Sequence, residues 1–440
     1  MAGCPGPEPE NPVGGQEVPP CVGRDFHVAA IEPKQSVPMG TGTSALTPAL
    51  SPKERENYRP THHNNNGIPQ SDGGDTPVRA LSAPEWLLAD ERFNQLALEL
   101  FVRQFEANPV YQAWCHARGR NLGSVEHWTQ IPAVPTVAFK ELELSSIPAA
   151  ERSVVFHSSG TTEQKPSRHF HSAASLAVYE ASLTHWFNHH LGAAGPLHFL
   201  TPSRQAAPHS SLIYMFETLR QQRSLPPSAF LGNLAGDGSW ALDFPAVLAE
   251  LQSASATGRP MTLLGTAFSF VHLLDYLAEH QLRFRLPPGS HVMETGGYKN
   301  RSRTLPKAEL HALINEKLGI PASHILCEYG MSELSSQAYD NVTGDACQVT
   351  RKDSGESCHP SPVTRHFSLP PWARVQVISP ETGKPVGDGE TGLLRIFDLA
   401  NAFSVMALQT EDLAVSHGGQ FELLGRAQAA EPRGCSLMTA

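Results

Sequence analysis

The chain reads as an α/β protein with largely parallel sheets, and three features predict this. Short apolar runs such as PLHFLTPS, PMTLLGTAF and GSHVMETGGY each end in a polar turn. Segments of helical periodicity lie between them, giving the strand–helix alternation of an α/β fold. Hydrophobic residues fill 40% of 440 positions and charged residues 17%, enough apolar material for a real core. A wholly disordered chain is thereby excluded. The formal net charge of -10 disfavours a nucleic-acid protein, which would show a basic face. Small anionic ligands remain open, because local cations and backbone N–H groups hold them whatever the net charge. No run approaches the roughly 18 apolar residues of a membrane helix.

Taken in order, residues 1–80 are a different material from the rest. They carry about a third of the 37 prolines, with Gly, Ser and Asn runs and no apolar period. A disordered tail is expected there, since too little surface can be buried to offset the entropy of ordering. SALTPALSPKERENY resembles a translated intergenic repeat, which would put the true start nearer Val78. MAGCPGPEPENPVGG has neither a cationic nor an apolar signal region. The 7 cysteines are scattered without a CxxC pair, and the 21 histidines show no HExxH spacing. A reducing, cytoplasmic setting follows as the expectation, without a disulfide scaffold or zinc site.

An α/β core is expected over 81–365. Leu96, Leu100, Phe101 and Phe105 are spaced for one or two amphipathic helices ending at Gly119. A short strand then runs into a Gly/Ser/Thr loop and a helix from about Ser172 to Leu191. Helical periodicity recurs over 209–223, 243–256, 268–282 and 306–318. From 366 to 426 the pattern is β, with strands around Gly-rich turns, and 427–440 form a short tail.

Five loops carry the chemistry. In FHSSGTTEQKPSR, Ser158, Ser159, Thr161 and Thr162 surround Gly160, with Lys165 and Arg168 close by. Small residues let the backbone approach a phosphate, hydroxyls donate to it, and cations neutralise it. No GxxxxGK[ST] or GxGxxG is present, and an ordinary polar turn is an equal reading. METGGYKNRSR offers Gly296 and Gly297 for close approach, Tyr298 for stacking, and Lys299, Arg301 and Arg303 as charges. In EYGMSELSSQ, Tyr329 and Gly330 precede Ser332 and Glu333, a hard-oxygen pair suited to Mg²⁺. Asp412 in QTED could accept from ribose hydroxyls, and Gly425-Arg426 closes the series. Each of the last four, taken singly, reads more readily as structural.

Their order and spacing together resemble the adenylate-forming superfamily. Within it, SSGTTEQKPSRHF, ETGGYKNRSR, EYGMSELSSQAYD, LQTEDL, FELLGRA and EPRGCS are most similar to the acyl-protein synthetases (long-chain-fatty-acid–protein ligases) of bacterial bioluminescence. That resemblance, over about 85–435, implies the adenylate-forming large-domain fold: parallel βαβ sheets sandwiched by helices, with a small β subdomain completing the nucleotide site. It implies ATP and Mg²⁺ as cofactors, a fatty acid or other carboxylate as substrate and an acyl reductase as protein partner. Ser158 to Thr162 would embrace the ATP β- and γ-phosphates, with Gly296, Gly297, Tyr298, Tyr329, Gly330 and Ser332 around the rest of the nucleotide. Glu333, with Thr162, would hold Mg²⁺; Asp412 would bind the ribose and Arg426 approach from the far side. Departures from the pattern are Glu163 and Glu411 where Gly is usual, and Lys165-Pro166 in reversed order. The chain ends fourteen residues past Arg426, so the mobile lid domain and its lysine are expected to be missing.

The implied mechanism has two steps. The carboxylate attacks the α-phosphorus of ATP, giving acyl-AMP and pyrophosphate, with Lys165, Arg168, Lys299 and Arg301 as available cations. Cys435 then takes the acyl group as a thioester, with Gly434 lending mobility and Arg433 favouring the thiolate. The acyl pocket is expected to draw on His209, Ser210 and Phe268, in the apolar runs HSSLIYMF and GTAFSF. Two other outcomes stay open: a ligase passing its adenylate to coenzyme A or a carrier protein, and a non-catalytic nucleotide-binding subunit.

Overall fold

The structure, a computed structural model, describes residues 89–158, 165–192, 195–222, 228–296, 305–343 and 364–427. The tail expected over 1–80 lies outside these residues, as does 428–440. In chain order the helices are α1 (Asp90–Ala107), α2 (Pro109–His116), α3 (Ala138–Glu141), α4 (Ala173–Leu191), α5 (Ser211–Gln222), α6 (Phe244–Thr257), α7 (Ala267–Glu279) and α8 (Lys307–Leu318). The first strands are β1 (Val134–Pro135), β2 (Val154–His157), β3 (Arg168–His171), β4 (Leu197–Phe199), β5 (Ala229–Phe230), β6 (Gly232–Leu234), β7 (Trp240–Leu242) and β8 (Thr262–Thr266). They continue with β9 (His291–Thr295), β10 (Ile325–Tyr329), β11 (Ala338–Thr343), β12 (Thr364–Ser368), β13 (Ala373–Ile378), β14 (Thr391–Asp398), β15 (Ala407–His417) and β16 (Gln420–Arg426).

The helix boundaries have local causes. α1 and α2 separate at Asn108-Pro109: proline disfavours a helical residue before it, and the Asn108 side chain accepts from the Tyr111 N–H at 3.1 Å. Ser172 and Ser175 form a reciprocal capping box at the start of α4. Asp243 caps α6 with a proline in its first turn, and Gly258 ends it in the left-handed region at φ 68°.

Twelve strands form one sheet in the order β13-β14-β15-β16-β12-β11-β10-β9-β8-β4-β5, with β1 beside β15. Two physical halves meet in it. β5, β4, β8, β9 and β10 pair in parallel, joined by helical crossovers. From β10 to β13 along the sheet every neighbour is antiparallel. The sheet is therefore mixed rather than largely parallel, because hairpins replace helical crossovers after β10. Two hairpins, β2–β3 and β6–β7, stand apart from it.

Two apolar clusters hold these layers. One joins α1, α2, α4 and α5 to the antiparallel strands through residues such as Phe93, Phe101, Phe187, Phe216, Ile396 and Leu408. The other packs α6, α7 and α8 against β8 and β9 through Leu251, Phe270, Ile314, Leu263 and Val292. A single buried amide ties α1 to the distant β14–β15 connection. Gln104 Nε2 donates to the Asn401 carbonyl at 2.8 Å, and its Oε1 accepts from the Met406 N–H at 3.0 Å. Gln104→Leu leaves the Met406 N–H unpaired in the core and the Asn401 carbonyl with only the Ser404 N–H at 3.5 Å, so the variant should lose about 2–4 kcal/mol in urea unfolding. A loss below about 0.5 kcal/mol would show that this tie is dispensable.

Candidate active site

A cavity of about 310 Å³ opens where the parallel half of the sheet meets the antiparallel half, within the size range of small-ligand sites. Its wall includes Ser158, Ser210, Gly296, Tyr329, Gly330, Ser332, Glu333, Asp412 and Arg426, drawn from segments far apart in sequence. These are sequence-expected residues, and the fold brings them to one place. Ser159, Gly160, Thr161, Thr162, Gly297, Tyr298, Lys299, Arg301, Arg303 and Cys435 lie outside the described residues. Lys165 pairs with Glu141 at 2.9 Å, both side chains largely exposed, and Arg168 stands 3.5 Å from Glu143; neither is among the lining residues. His209 stacks on His157 at 4.6 Å with Nδ1 3.2 Å from the Val155 carbonyl, beside the cavity residues His157 and Ser210. Phe268 is buried in α7 against His272, away from the described wall.

The end of β10 is fixed first. Tyr329 donates its hydroxyl to Asp412 Oδ2 at 2.8 Å, joining β10 to β15 across the cavity. Arg426 Nε lies 3.2 Å from Asp412 Oδ1, an ion-pair distance that is not aligned as a hydrogen bond, and Nη2 donates to Glu411 Oε2 at 2.5 Å. Glu411, the residue that departs from the expected glycine, thus has a cation of its own. Arg426 Nε and Nη1 are buried without hydrogen-bond partners. With Nε already beside the Asp412 carboxylate, Nη1 is the guanidinium nitrogen left for an anionic ligand.

Beneath Ser332 and Glu333 lies a buried polar network. The Ser332 carbonyl is 2.7 Å from His169 Nδ1, and Asn401 Nδ2 donates to the Glu333 carbonyl at 2.9 Å. Ser332 Oγ donates to Glu333 Oε2 at 3.1 Å. Asp398 accepts from Ser336 Oγ at 2.8 Å, from the Ala400 N–H at 3.0 Å and from the Ser335 N–H at 3.1 Å. Burial pushes the Asp398 carboxyl up to about 6 against those hydrogen bonds. Burial also holds the His169 imidazole below its ordinary range. The carboxylate and hydroxyl of Glu333 and Ser332 form a hard-oxygen donor set that fits Mg²⁺.

Among the lining residues that escape sequence reasoning are Lys307, Cys327 and Glu328. Lys307 Nζ lies 2.8 Å from Cys327 Sγ, 3.9 Å from Glu294 Oε1 and 4.9 Å over the Phe367 ring. Burial alone would raise the Glu294 carboxyl, yet His311 and the Lys307 ammonium bring it below the usual carboxylate range. Burial, with Glu294 beside it, pushes the Cys327 thiol up, so it is neutral and inert. Cys327 reads as core from its apolar strand, and Lys307 as one charge among many at a helix start. Only the register of β9 against β10 sets Glu294 beside Cys327 and so gives Lys307 its place.

Comparisons with known proteins identify the family. The family model described as "Acyl-protein synthetase, LuxE" matches residues 86–440. The chain belongs to that family. It is accordingly a ligase of the acyl-protein synthetase kind. A long-chain-fatty-acid–luciferin-component ligase of Aliivibrio fischeri is 24% identical over 408 residues, covering 86% of this chain and 97% of the relative. Its Vibrio harveyi counterpart is 23% identical over 371 residues, covering 80% and 89%. Among solved structures, an open 2-hydroxyisobutyryl-CoA ligase complex has TM-score 0.54 at 16% identity, covering 84% of this chain and 81% of that one. This likeness establishes the adenylate-forming ligase fold. No helix of the described residues is long and apolar enough to cross a membrane.

Glu328 supplies a pH test of this site. Its carboxyl is buried, Thr295 Oγ1 donates to Oε2, and desolvation raises it from 4.5 to about 7. Between those values the folded chain keeps a proton that the unfolded chain releases, so this group's contribution to stability falls as pH rises from about 4.5 to 7. Glu328→Gln should therefore stabilise the protein at pH 8 by on the order of 3 kcal/mol. The gain should vanish at pH 4.5; a Tm difference unchanged between the two conditions would contradict the buried-carboxyl account.

Proposed function

We propose that this ligase activates a long-chain fatty acid with ATP to acyl-AMP and passes the acyl group to its own Cys435. The observation that supports this most directly is the shared wall of one cavity, where Ser158, Gly296, the Tyr329–Glu333 turn and the Asp412–Arg426 pair meet. The curated relatives named as long-chain-fatty-acid–luciferin-component ligases support the substrate class.

On this reading Asp412, held by Tyr329, accepts from the ribose hydroxyls. Ser158 and the loop that follows it take the phosphates. Glu333, with Thr162, would hold Mg²⁺, which supplies charge neutralisation when bound. The fatty carboxylate oxygen attacks the α-phosphorus, and pyrophosphate leaves with the bonding electron pair. Arg426, through its unpaired Nη1, and Lys307 face the charge that builds up. Lys165 and Arg168, which pair outside the wall with Glu141 and Glu143, would turn in from the foot of the phosphate loop. Ser210 stands on the acyl side of the cavity, with His209 behind it.

In the second step the Cys435 thiolate attacks the acyl carbonyl, the C–S bond forms, and AMP departs. Nine positions separate Cys435 from Arg426, a contour of at most about 30 Å, so a tether anchored at the cavity rim can bring its thiol back to that rim. An acyl reductase would then consume the thioester.

ATP–pyrophosphate exchange with fatty acids of graded length, followed by intact mass of the protein, tests both steps. The expected result is fatty-acid-dependent exchange and one acyl adduct per chain. Cys435→Ala should retain exchange and lose the adduct; an adduct that persists would exclude this acceptor, and acyl-coenzyme A as product would favour a free thiol acceptor. Lys307→Met and Asp412→Ala should each cut exchange by about 10–100-fold, as expected when a charge-assisted contact is removed.

A further inference from the structure

We propose that the sheet face behind the cavity holds a divalent transition-metal site, with His366, His417 and Glu422 as ligands and Zn²⁺ as the ion it suits. The three residues lie on β12, β15 and β16, which are neighbours in the sheet. Phe367 pairs with Phe421, so the antiparallel register sets His366 across from Glu422. His417 pairs with Gln420, two positions before Glu422 on the same face of β16. One ligand atom from each of the three lies within 4.8 Å of the others, and all three residues are half-buried. Ligands bound to one zinc at about 2.0–2.1 Å stand roughly 3.3 Å apart in a tetrahedron. Side-chain rotation of about 1.5 Å or less thus closes the set, and water fills the fourth position.

The chemistry of the donors points the same way. Two imidazoles and one carboxylate form a borderline N/O set that favours Zn²⁺ over Mg²⁺ or Ca²⁺. The two histidine rings lie face to face, 4.5 Å between centroids and 23° between planes, so one ring would turn to let both in-plane nitrogen lone pairs meet at one ion. The turn that carries His417 is itself braced. Asp388 accepts from Ser416 Oγ at 2.7 Å and from the Gly418 N–H at 3.0 Å, fixing the backbone on either side of the histidine.

The placement gives the ion something to act on. Side chains alternate across a strand, so the neighbours Phe367 and Phe421 point to the opposite face. There they stack on each other at 5.5 Å, and Phe367 lines the cavity beside Tyr329 and Lys307. β15 and β16 also carry Asp412 and Arg426. An ion on the back of these strands would clip together the three that form this part of the cavity, without touching any ligand within it. The site stands independently of the function proposed above.

Calorimetric titration of the full-length protein with ZnCl₂, next to the double variant His417→Asn/Glu422→Gln, decides the matter. The wild type should bind one more Zn²⁺ per chain than the variant, or bind that ion at least about tenfold more tightly. Zn²⁺ should also raise the wild-type Tm and leave the variant's unchanged. Both replaced side chains are half-buried polar groups on a sheet face, so the metal-free Tm should match the wild type; should the double variant fail to fold, His366→Asn provides the same comparison. Equal stoichiometry and affinity in wild type and variant, or no Zn²⁺ effect on the wild-type Tm, would overturn the assignment.

Discussion

The cavity depends on a turn that has almost no regular structure of its own. Between β10 and β11 the chain passes through Ser332–Gln337, buried on all sides, where no helix or ladder satisfies its backbone. Asp398, the last residue of β14, and Asn401, from the connection after it, do so instead, together with His169 from β3. Orphaned backbone groups in such a place would cost more than a hydrogen bond returns, so the turn and its supports stand or fall together. Desolvating the Asp398 carboxylate is itself unfavourable, as its raised pKa of about 6 records. What the arrangement secures is position: Ser332 and Glu333 cannot drift while their carbonyls are held from below.

That same turn is where the sheet changes character. In the sheet β5, β4, β8, β9 and β10 run parallel, and β9 and β10 end at the cavity, as open α/β sheets place their ligands. β11 reverses direction, and hairpins then carry the sheet round through β12, β16 and β15. The consequence is a floor of Tyr329 and Phe367 from β10 and β12, backed by the buried Phe421 ring of β16. Lys307 closes one side of it and the Asp412–Arg426 pair another. Neither half of the sheet could build this cleft alone.

Much of this was legible in the sequence, and the limit falls along a physical line. Ser172 and Asp243 announce their helices locally, and the helical periodicity of 306–318 appears as α8. The five loop motifs were readable because close backbone approach and exposed hydroxyls demand particular residue types in short runs. Asp398 and Asn401 in FDLAN carry no such mark; their value lies in contacts with residues more than sixty positions away. The same holds for Lys307, whose partner is set by strand register, and for β1, two residues that pair with β15 across more than 270 positions. Phe268 shows the converse, since an apolar residue after a strand can serve the core as readily as a pocket.

Arg426 sits on the cavity rim, and the proposed acyl acceptor follows it by nine positions. On that proposal the leashed thiol would be present at an effective concentration in the millimolar range. Each chain would then carry a single berth. Once loaded, it would accept no second acyl group until the first was removed, so turnover could not outrun unloading by a downstream enzyme.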